Sequence, residues 1–244
     1  MSSVPKTVLI TGGARGIGRV TAMRLLADGY NVAFTYLQSR AAAEEFVGTD
    51  RARLHAYAGD VRDDARNREI VENVVARFGA LDALVNNAGI RRDSLMFNMG
   101  GEQWDDVVET NLRGAYSMIH AALPAMMKQR RGAIVNVTSV SGLQGVVGQA
   151  NYSAAKGGLI AMTRSIALEV ARSGVRVNCI APGLVETDMI ASLDEDVKRN
   201  LIHDVPMRRA IRADEVASGI AFLISDEASG ITGQVLCIDG GMSA

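Results

Sequence analysis

The sequence predicts an α/β fold, a single domain built on a doubly wound parallel sheet of about seven strands with helices on both faces. Short apolar runs recur along the chain, each followed by a longer segment with helical spacing, and that alternation argues for strand–helix units joined in parallel. The runs are nearly continuous in apolar residues, as expected of strands covered on both faces. A length of 244 residues suits one large α/β domain and buries enough surface to need no disulfide or metal.

The elements follow in order. "KTVLIT" leads to "GIGRVTAMRLLADG", where Ile17, Val20, Met23, Leu25 and Leu26 form an apolar stripe. "NVAFTY" leads to "SRAAAEEFVG", and "RLHAYAGD" to "DARNREIVENVVARFG". "ALDALVNNAG" precedes a long helical stretch from Glu102 to Arg130, and "GAIVNVTS" precedes another that runs through "LIAMTRSIALEVARSG". "VRVNCIAPG" is followed by "MIASLDEDVKRNLIHDV" and "ADEVASGIAFLISDEA", and "GQVLCIDGG" closes the sheet. The rhythm breaks at about 186–207, where an extra helical piece reads as an insertion at the carboxyl edge of the sheet, a place suited to a substrate lid. The domain is expected to span residues 1–244 without a linker or repeat.

Composition excludes several classes. The formal net charge of −1 gives no broad footprint for nucleic acid. No run of about 18 apolar residues and no signal-like leader occurs, so a cytoplasmic protein with no membrane span is expected. Histidines 55, 120 and 203 lack ligand spacing, and no metal is expected. Cys179 and Cys237 read as two buried thiols in a reducing compartment rather than a disulfide. Met96, Met99, Met118, Met126 and Met127 suit irregular core or interface space.

The motif "TGGARGIG" follows the first strand and runs into a helix. Glycines here permit a tight turn and let backbone N–H groups approach a pyrophosphate at the helix N-terminus. The spacing is G-x-x-x-G-x-G through Gly12, Gly16 and Gly18. After the second strand, "TYLQSR" carries no acid to hold a ribose 2′-hydroxyl, while Arg15 and Arg40 stand near. Arginines grip a 2′-phosphate that a carboxylate would repel, so NADP(H) is the expected cofactor.

In "GQANYSAAKGG", Tyr152 precedes Lys156 by four residues and shares a helix face with it. A neighbouring cation favours a phenolate and lowers the pKa of a phenol. Taken alone, the pair is either an acid catalyst or two exposed helix residues.

Four features in order, "TGGARGIG", "NNAG" at Asn86 to Gly89, Ser139 in "VTSVSG", and Tyr152 with Lys156 in "YSAAK", together resemble the short-chain dehydrogenase/reductase family over the whole chain. The stretches "NNAGIRRDSLMFNM", "WDDVVETNL", "IAPGLVETDM" and "ITGQVLCIDGGM" are similar to its 3-oxoacyl-thioester reductase branch. The resemblance implies a Rossmann-type domain and an NADPH-dependent reductase of a carrier-bound 3-oxoacyl thioester in fatty-acid or polyketide-like biosynthesis. It implies that Tyr152 donates a proton to the carbonyl, Lys156 lowers the tyrosine pKa and holds the nicotinamide ribose, Ser139 hydrogen-bonds the carbonyl, and Asn111 supports a proton-feeding water chain. It implies further that Thr11, Gly12, Arg15, Gly16, Ile17, Gly18, Arg40, Asp60, Val61, Asn87, Ala88, Gly89, Pro182, Gly183, Val185 and Thr187 line the cofactor, with Met189 and Ile190 on the lid. A homotetramer built through the long helices and the last strand is implied as well.

Two features depart from or lie outside the pattern. Gly100 and Gly101 stand before Trp104 where the branch carries polar residues, which weakens that helix start. The basic "KQRR" at Lys128 to Arg131 either complements a helix C-terminus or, with Arg172, docks an acidic carrier protein, the candidate contacts being Arg130, Arg131 and Arg172. Alternative readings are a short-chain dehydrogenase/reductase acting on a free alcohol, sugar or ketone, and a non-catalytic nucleotide-binding protein.

Overall fold

The computed structural model describes residues 5–186 and 194–244. Its β-branched and aliphatic runs form seven parallel strands: β1 (Thr7–Ile10), β2 (Asn31–Tyr36), β3 (Leu54–Ala58), β4 (Ala83–Asn86), β5 (Gly132–Val137), β6 (Val175–Pro182) and β7 (Val235–Ile238). They lie in the order β3-β2-β1-β4-β5-β6-β7, so the chain winds outward from β1 and then restarts on its other side at β4. Such a reversal opens a crevice at the carboxyl ends of the two strands.

The helices are α1 (Gly16–Ala27), α2 (Arg40–Val47), α3 (Asp64–Phe78), α4 (Gly101–Val108), α5 (Gly114–Gln129), α6 (Ala150–Val170), α7 (Glu195–His203) and α8 (Ala213–Ile224). Side chains alternate across the sheet, so β1 sends Val8 and Ile10 into one apolar layer and Leu9 into the other. The first layer gathers Leu25 of α1, Phe46 of α2 and Ile220 of α8; the second gathers Ile70 of α3 and Met118 and Met126 of α5. Burying each such side chain contributes about 1.5–3 kcal/mol.

The stretch expected as one helix from Glu102 to Arg130 is interrupted. A π-helical turn, Glu109–Arg113, joins α4 to α5, and Arg130 ends α5 in a left-handed conformation with φ 53°. Lost glycine capping at Gly100 is partly restored by the Gln103 side chain, whose Oε1 accepts the Gly100 N–H at 3.0 Å. Cys179 is buried as expected, but Cys237 on β7 is exposed, and both are free thiols. The last strand lies at the sheet edge, which leaves Cys237 without the second covering layer that the apolar run suggested. Within the insertion, α7 is described; Thr187, Met189 and Ile190 lie outside the described residues.

Candidate active site

The glycine loop after β1 is shaped by close packing as much as by conformation. A Cβ on Gly13 would sit 2.4 Å from Phe34 Cβ, and one on Gly18 would sit 2.4 Å from the Gly12 carbonyl oxygen. Gly16, with φ +55°, meets nothing within 4 Å on its Cβ side. No side chain caps α1 at Arg15, and no acid stands in its first turn, so its initial N–H groups and its dipole face the crevice. The crevice is a cleft of about 530 Å³ lined by Gly12, Arg15, Gly16, Asp60, Val61 and Asn87 to Ile90, among others.

Two expected contacts serve as scaffold. Thr11 is 1% exposed, and its Oγ1 accepts the N–H groups of Asn87 (3.0 Å) and Ala88 (2.9 Å). Asn87 Nδ2 donates to the carbonyls of Thr11 and Gly12. These bonds fasten the loop after β1 to the loop after β4 and fix the shape of the cleft floor. Ile17 packs against the apolar layer.

The charges of the cleft are arranged in pairs. Arg62 Nη2 donates to Asp60 Oδ2 at 2.6 Å, and this pairing holds the Asp60 carboxyl below its ordinary pKa. Arg62 and Arg92 flank Asp106 at 3.6 and 3.5 Å. Leu37, Gln38 and Ser39, none of them acidic, line the wall after β2. Arg40 is exposed and pairs with Glu44 on its own helix at 2.8 Å, and it is not among the residues that line the cleft. Sequence reasoning missed Arg62 and Arg92; for Arg62 an arginine two residues beyond the Asp that follows β3 was the available signal.

The loop after β6 closes one end. A Cβ on Gly183 would meet Asp239 Cα at 2.8 Å. Val185 forms a parallel bridge with Ile211 through the backbones of Leu184 and Glu186, which directs the N–H and C=O of Val185 itself to the other side. Pro182 is buried at the end of β6.

Three candidate catalytic side chains converge at the carboxyl edge of β5. Ser139 follows that strand; Tyr152 and Lys156 lie in the first turns of α6. Lys156 Nζ is 5.6 Å from the Tyr152 ring centroid and donates to the Val137 carbonyl at 2.8 Å. The Ser139 hydroxyl is close enough to the phenol to favour its ionised form. A Cβ on Gly89 would lie 3.5 Å from Lys156 Nζ and 3.0 Å from Asn111 Oδ1, so the lysine reaches the cleft at Gly89. Asn111 occupies the π turn, and its amide clamps Ile90: Oδ1 accepts the Ile90 N–H at 2.8 Å, and Nδ2 donates to its carbonyl at 2.9 Å. A π turn at a side chain of this kind is a frequent mark of a functional site.

The electrostatics differ from the simple expectation. Burial raises the Tyr152 pKa, and the cation that chiefly opposes this is Arg91, whose Cζ is 5.9 Å from the ring centroid. Lys156 is itself drawn down to about 8 by burial. It is therefore protonated in a smaller share of molecules than a surface lysine, because the surroundings desolvate the ammonium. Arg91 was not singled out from the sequence, since a lone arginine after "NNAGI" has no motif to mark it.

Comparison with known proteins places the chain in a family. The family model described as enoyl-(acyl carrier protein) reductase matches residues 12–243. A curated protein named 3-oxoacyl-[acyl-carrier-protein] reductase FabG from Staphylococcus aureus is 43% identical over 240 residues, covering 97% of this chain and 98% of its own. The protein of the same name from Salmonella typhimurium is 44% identical over 244 residues, covering 99% of each. The crystal structure of levodione reductase superposes with a TM-score of 0.92 at 36% identity, covering 98% of this chain and 97% of its own. The chain belongs to the short-chain dehydrogenase/reductase family. As a short-chain dehydrogenase/reductase it is an oxidoreductase, and the resemblance read from its motifs holds over nearly the full length. Among the described residues no His/Cys/Asp/Glu cluster could hold a metal, and no helix is long and apolar enough to cross a membrane.

Proposed function

We propose that the protein is a cytoplasmic NADPH-dependent reductase of 3-oxoacyl thioesters carried on an acyl carrier protein, working in fatty-acid or polyketide-like biosynthesis. The observation that carries this is the meeting of Ser139, Tyr152 and Lys156 at the edge of a dinucleotide-shaped cleft. The full-length relatives named as 3-oxoacyl-[acyl-carrier-protein] reductases support the substrate class.

The cleft residues fit NADP(H). Gly16 leaves open space beside uncapped N–H groups suited to the pyrophosphate, and Asp60, Val61, Ala88 and Gly89 line the adenosine side. Arg15 is exposed and lines the cleft, where it would offer a cation to a 2′-phosphate, and the lining residues Leu37, Gln38 and Ser39 carry no acid to repel one. Pro182, Gly183, Val185 and Thr187 would hold the carboxamide end. When bound, the cofactor supplies the hydride.

The side chains of this chain do the rest. Ser139 donates to the carbonyl oxygen and fixes its position. Tyr152 delivers the proton to that oxygen as negative charge develops there. Lys156 spends one of its three N–H groups on Val137, and the others reach toward Gly89, where ribose hydroxyls would lie. Asn111 holds Ile90 and hence the wall beside the lysine, where it would support a water chain that feeds protons to Lys156. The segment at about 186–207 acts as the lid of this single domain.

The carrier-protein dock at Arg130, Arg131 and Arg172 lies at the amino ends of β5 and β6, the pole of the sheet opposite Ser139. Arg130 donates to the Arg172 carbonyl at 3.2 Å, and Arg131 pairs with Asp82 at 3.0 Å. A carrier docked there would serve the site of another subunit in a homotetramer. Turnover of free and carrier-bound acetoacetyl thioesters by wild type and by Arg130→Glu tests this. Selective loss on the carrier-bound form supports the dock; equal rates on both refute it.

A further inference from the structure

The cleft carries a group of paired charges away from the glycine loop. Its lining continues from Gly12 and Gly16 past the end of β2 to residues 59–62 after β3, with Arg92, Asp106 and Thr110 from the segments beyond β4. Arg62 is held there by the edges of its guanidinium. Nε donates to Asp60 Oδ1 and Oδ2 at 3.1 and 3.0 Å, and Nη2 donates to Oδ2 at 2.6 Å. The Arg62 backbone N–H also donates to Asp60 Oδ1, at 3.0 Å. On the other side, Nη1 stands 3.6 Å from Asp106 Oδ1, and Arg92 Nη2 stands 3.5 Å from Asp106 Oδ2.

We propose that the flat face of the Arg62 guanidinium is the platform on which the purine base of the dinucleotide stacks, and that Asp60 holds this platform rather than reading the amino group of the base. This rests on the reading of the cleft as an NADP(H) site. The argument turns on which surfaces remain available. The N–H donors of a guanidinium lie in its plane, and here two carboxylates occupy that plane's edges. The faces are what the side chain, 43% exposed, still presents to the cleft. A guanidinium face attracts an aromatic ring, and one already fixed by its edges loses little freedom on stacking. Asp60 in turn has about four acceptor sites, and Arg62 supplies four N–H contacts to them, so no lone pair is left for a purine amino group. The position along the cleft agrees. The pyrophosphate belongs at the uncapped start of α1 and the nicotinamide ribose beside Lys156, which leaves the base for the part of the cleft after β3. A phosphate suits this cluster poorly. Asp60 and Asp106 balance Arg62 and Arg92, and Glu109 acts on Arg62 as a further negative charge, so no net positive charge draws an anion.

The test is binding of NADPH and of its 6-oxo analogue, reduced nicotinamide hypoxanthine dinucleotide phosphate, to wild type, Arg62→Ala and Arg62→Lys, read by nicotinamide fluorescence. Arg62→Ala should weaken binding of the 6-oxo cofactor by about 3- to 20-fold. NADPH should lose less, because the freed Asp60 carboxylate accepts from a 6-amino group and repels a 6-carbonyl. The preference for the amino base over the oxo base should therefore rise about 3-fold or more above its wild-type value. Arg62→Lys keeps the charge but not the plane, and should lose affinity for both cofactors without that rise. Reduced nicotinamide mononucleotide, which lacks the base, should bind all three proteins alike. Unchanged affinity of Arg62→Ala for the 6-oxo cofactor, full affinity in Arg62→Lys, or a base preference that Arg62→Ala leaves where it was would overturn the proposal. So would a parallel loss of the mononucleotide, which would trace the effect to a damaged cleft. Wild-type protein that binds neither dinucleotide would defeat the NADP(H) reading itself, and the proposal with it.

Discussion

Lys156 is 3% exposed, and burial draws its pKa from the ordinary 10.5 to about 8. For a base with a lowered folded-state pKa, the unfolded chain binds the proton more tightly, so the burden on stability is full below pH 8 and fades as pH rises toward 10.5. That change corresponds to about 3 kcal/mol at neutral pH, of which the lost bond to Val137 would return about 1–2. Lys156→Met is therefore expected to be about 1–2 kcal/mol more stable than wild type at pH 7, measured by urea denaturation, with the advantage vanishing by pH 10.5. It should also be inactive. A variant less stable at pH 7 than at pH 10 relative to wild type would contradict the sign. At Tyr152 the controlling cation is Arg91, which opposes the rise caused by burial. Arg91→Leu removes that opposition and unpairs Asp93, and both changes push the phenol pKa further up. The alkaline limb of kcat/KM for reduction should move to higher pH. A shift downward would mean that the arginine does not act on the phenol. The tyrosine and lysine were legible from the ordered set of motifs rather than from their spacing alone; Arg91 was not, because its place comes from a loop folding back over α6 rather than from neighbours in sequence.

At the scale of the element, the loop after β1 and the π turn make contrasting demands. Gly13→Ala places a methyl into Phe34 and should destabilise the fold by about 1–3 kcal/mol, with expression and melting temperature both falling. Gly16→Ala meets open space and should cost only about 1 kcal/mol for its left-handed backbone. Its larger effect should be on NADPH affinity, because the methyl fills the approach of the pyrophosphate. Equal stability losses in both variants, with cofactor affinity untouched in Gly16→Ala, would argue against the loop as a phosphate cradle. Asn111→Leu leaves both polar groups of Ile90 without the amide clamp and should cost about 2–4 kcal/mol. The glycine motif announced the loop, but Gly13 was hidden in plain view: its need arises from Phe34 on a neighbouring strand. The π turn was illegible because the apolar spacing on either side of Asn111 reads as one continuous helix.

At the scale of the whole molecule, the parallel seven-stranded sheet and its two covered faces followed from the alternation of apolar runs, since the five inner strands are buried almost throughout, whereas the strand order was not legible in it. The edge position of β7 depends on the total winding of the chain, which local composition does not carry, and Cys237 is exposed for that reason. The proposed catalytic side chains come from segments after β5 and in α6, and the proposed cofactor residues from loops after β1, β3, β4 and β6, all at one edge of the sheet. The basic residues Arg130 and Arg172 stand at the other edge, so the reading of carrier docking depends on assembly between subunits. The central claim is carbonyl reduction by Tyr152 at this edge, and the most direct measurement is steady-state NADPH oxidation with acetoacetyl thioesters, free and carrier-bound, for wild type and Tyr152→Phe. The account predicts turnover of the thioester, faster on the carrier-bound form, reduced on the order of 10²–10⁴-fold in the variant while NADPH still binds. Wild-type protein that binds NADPH but turns over no 3-oxoacyl thioester, or a Tyr152→Phe variant with undiminished kcat, would contradict it.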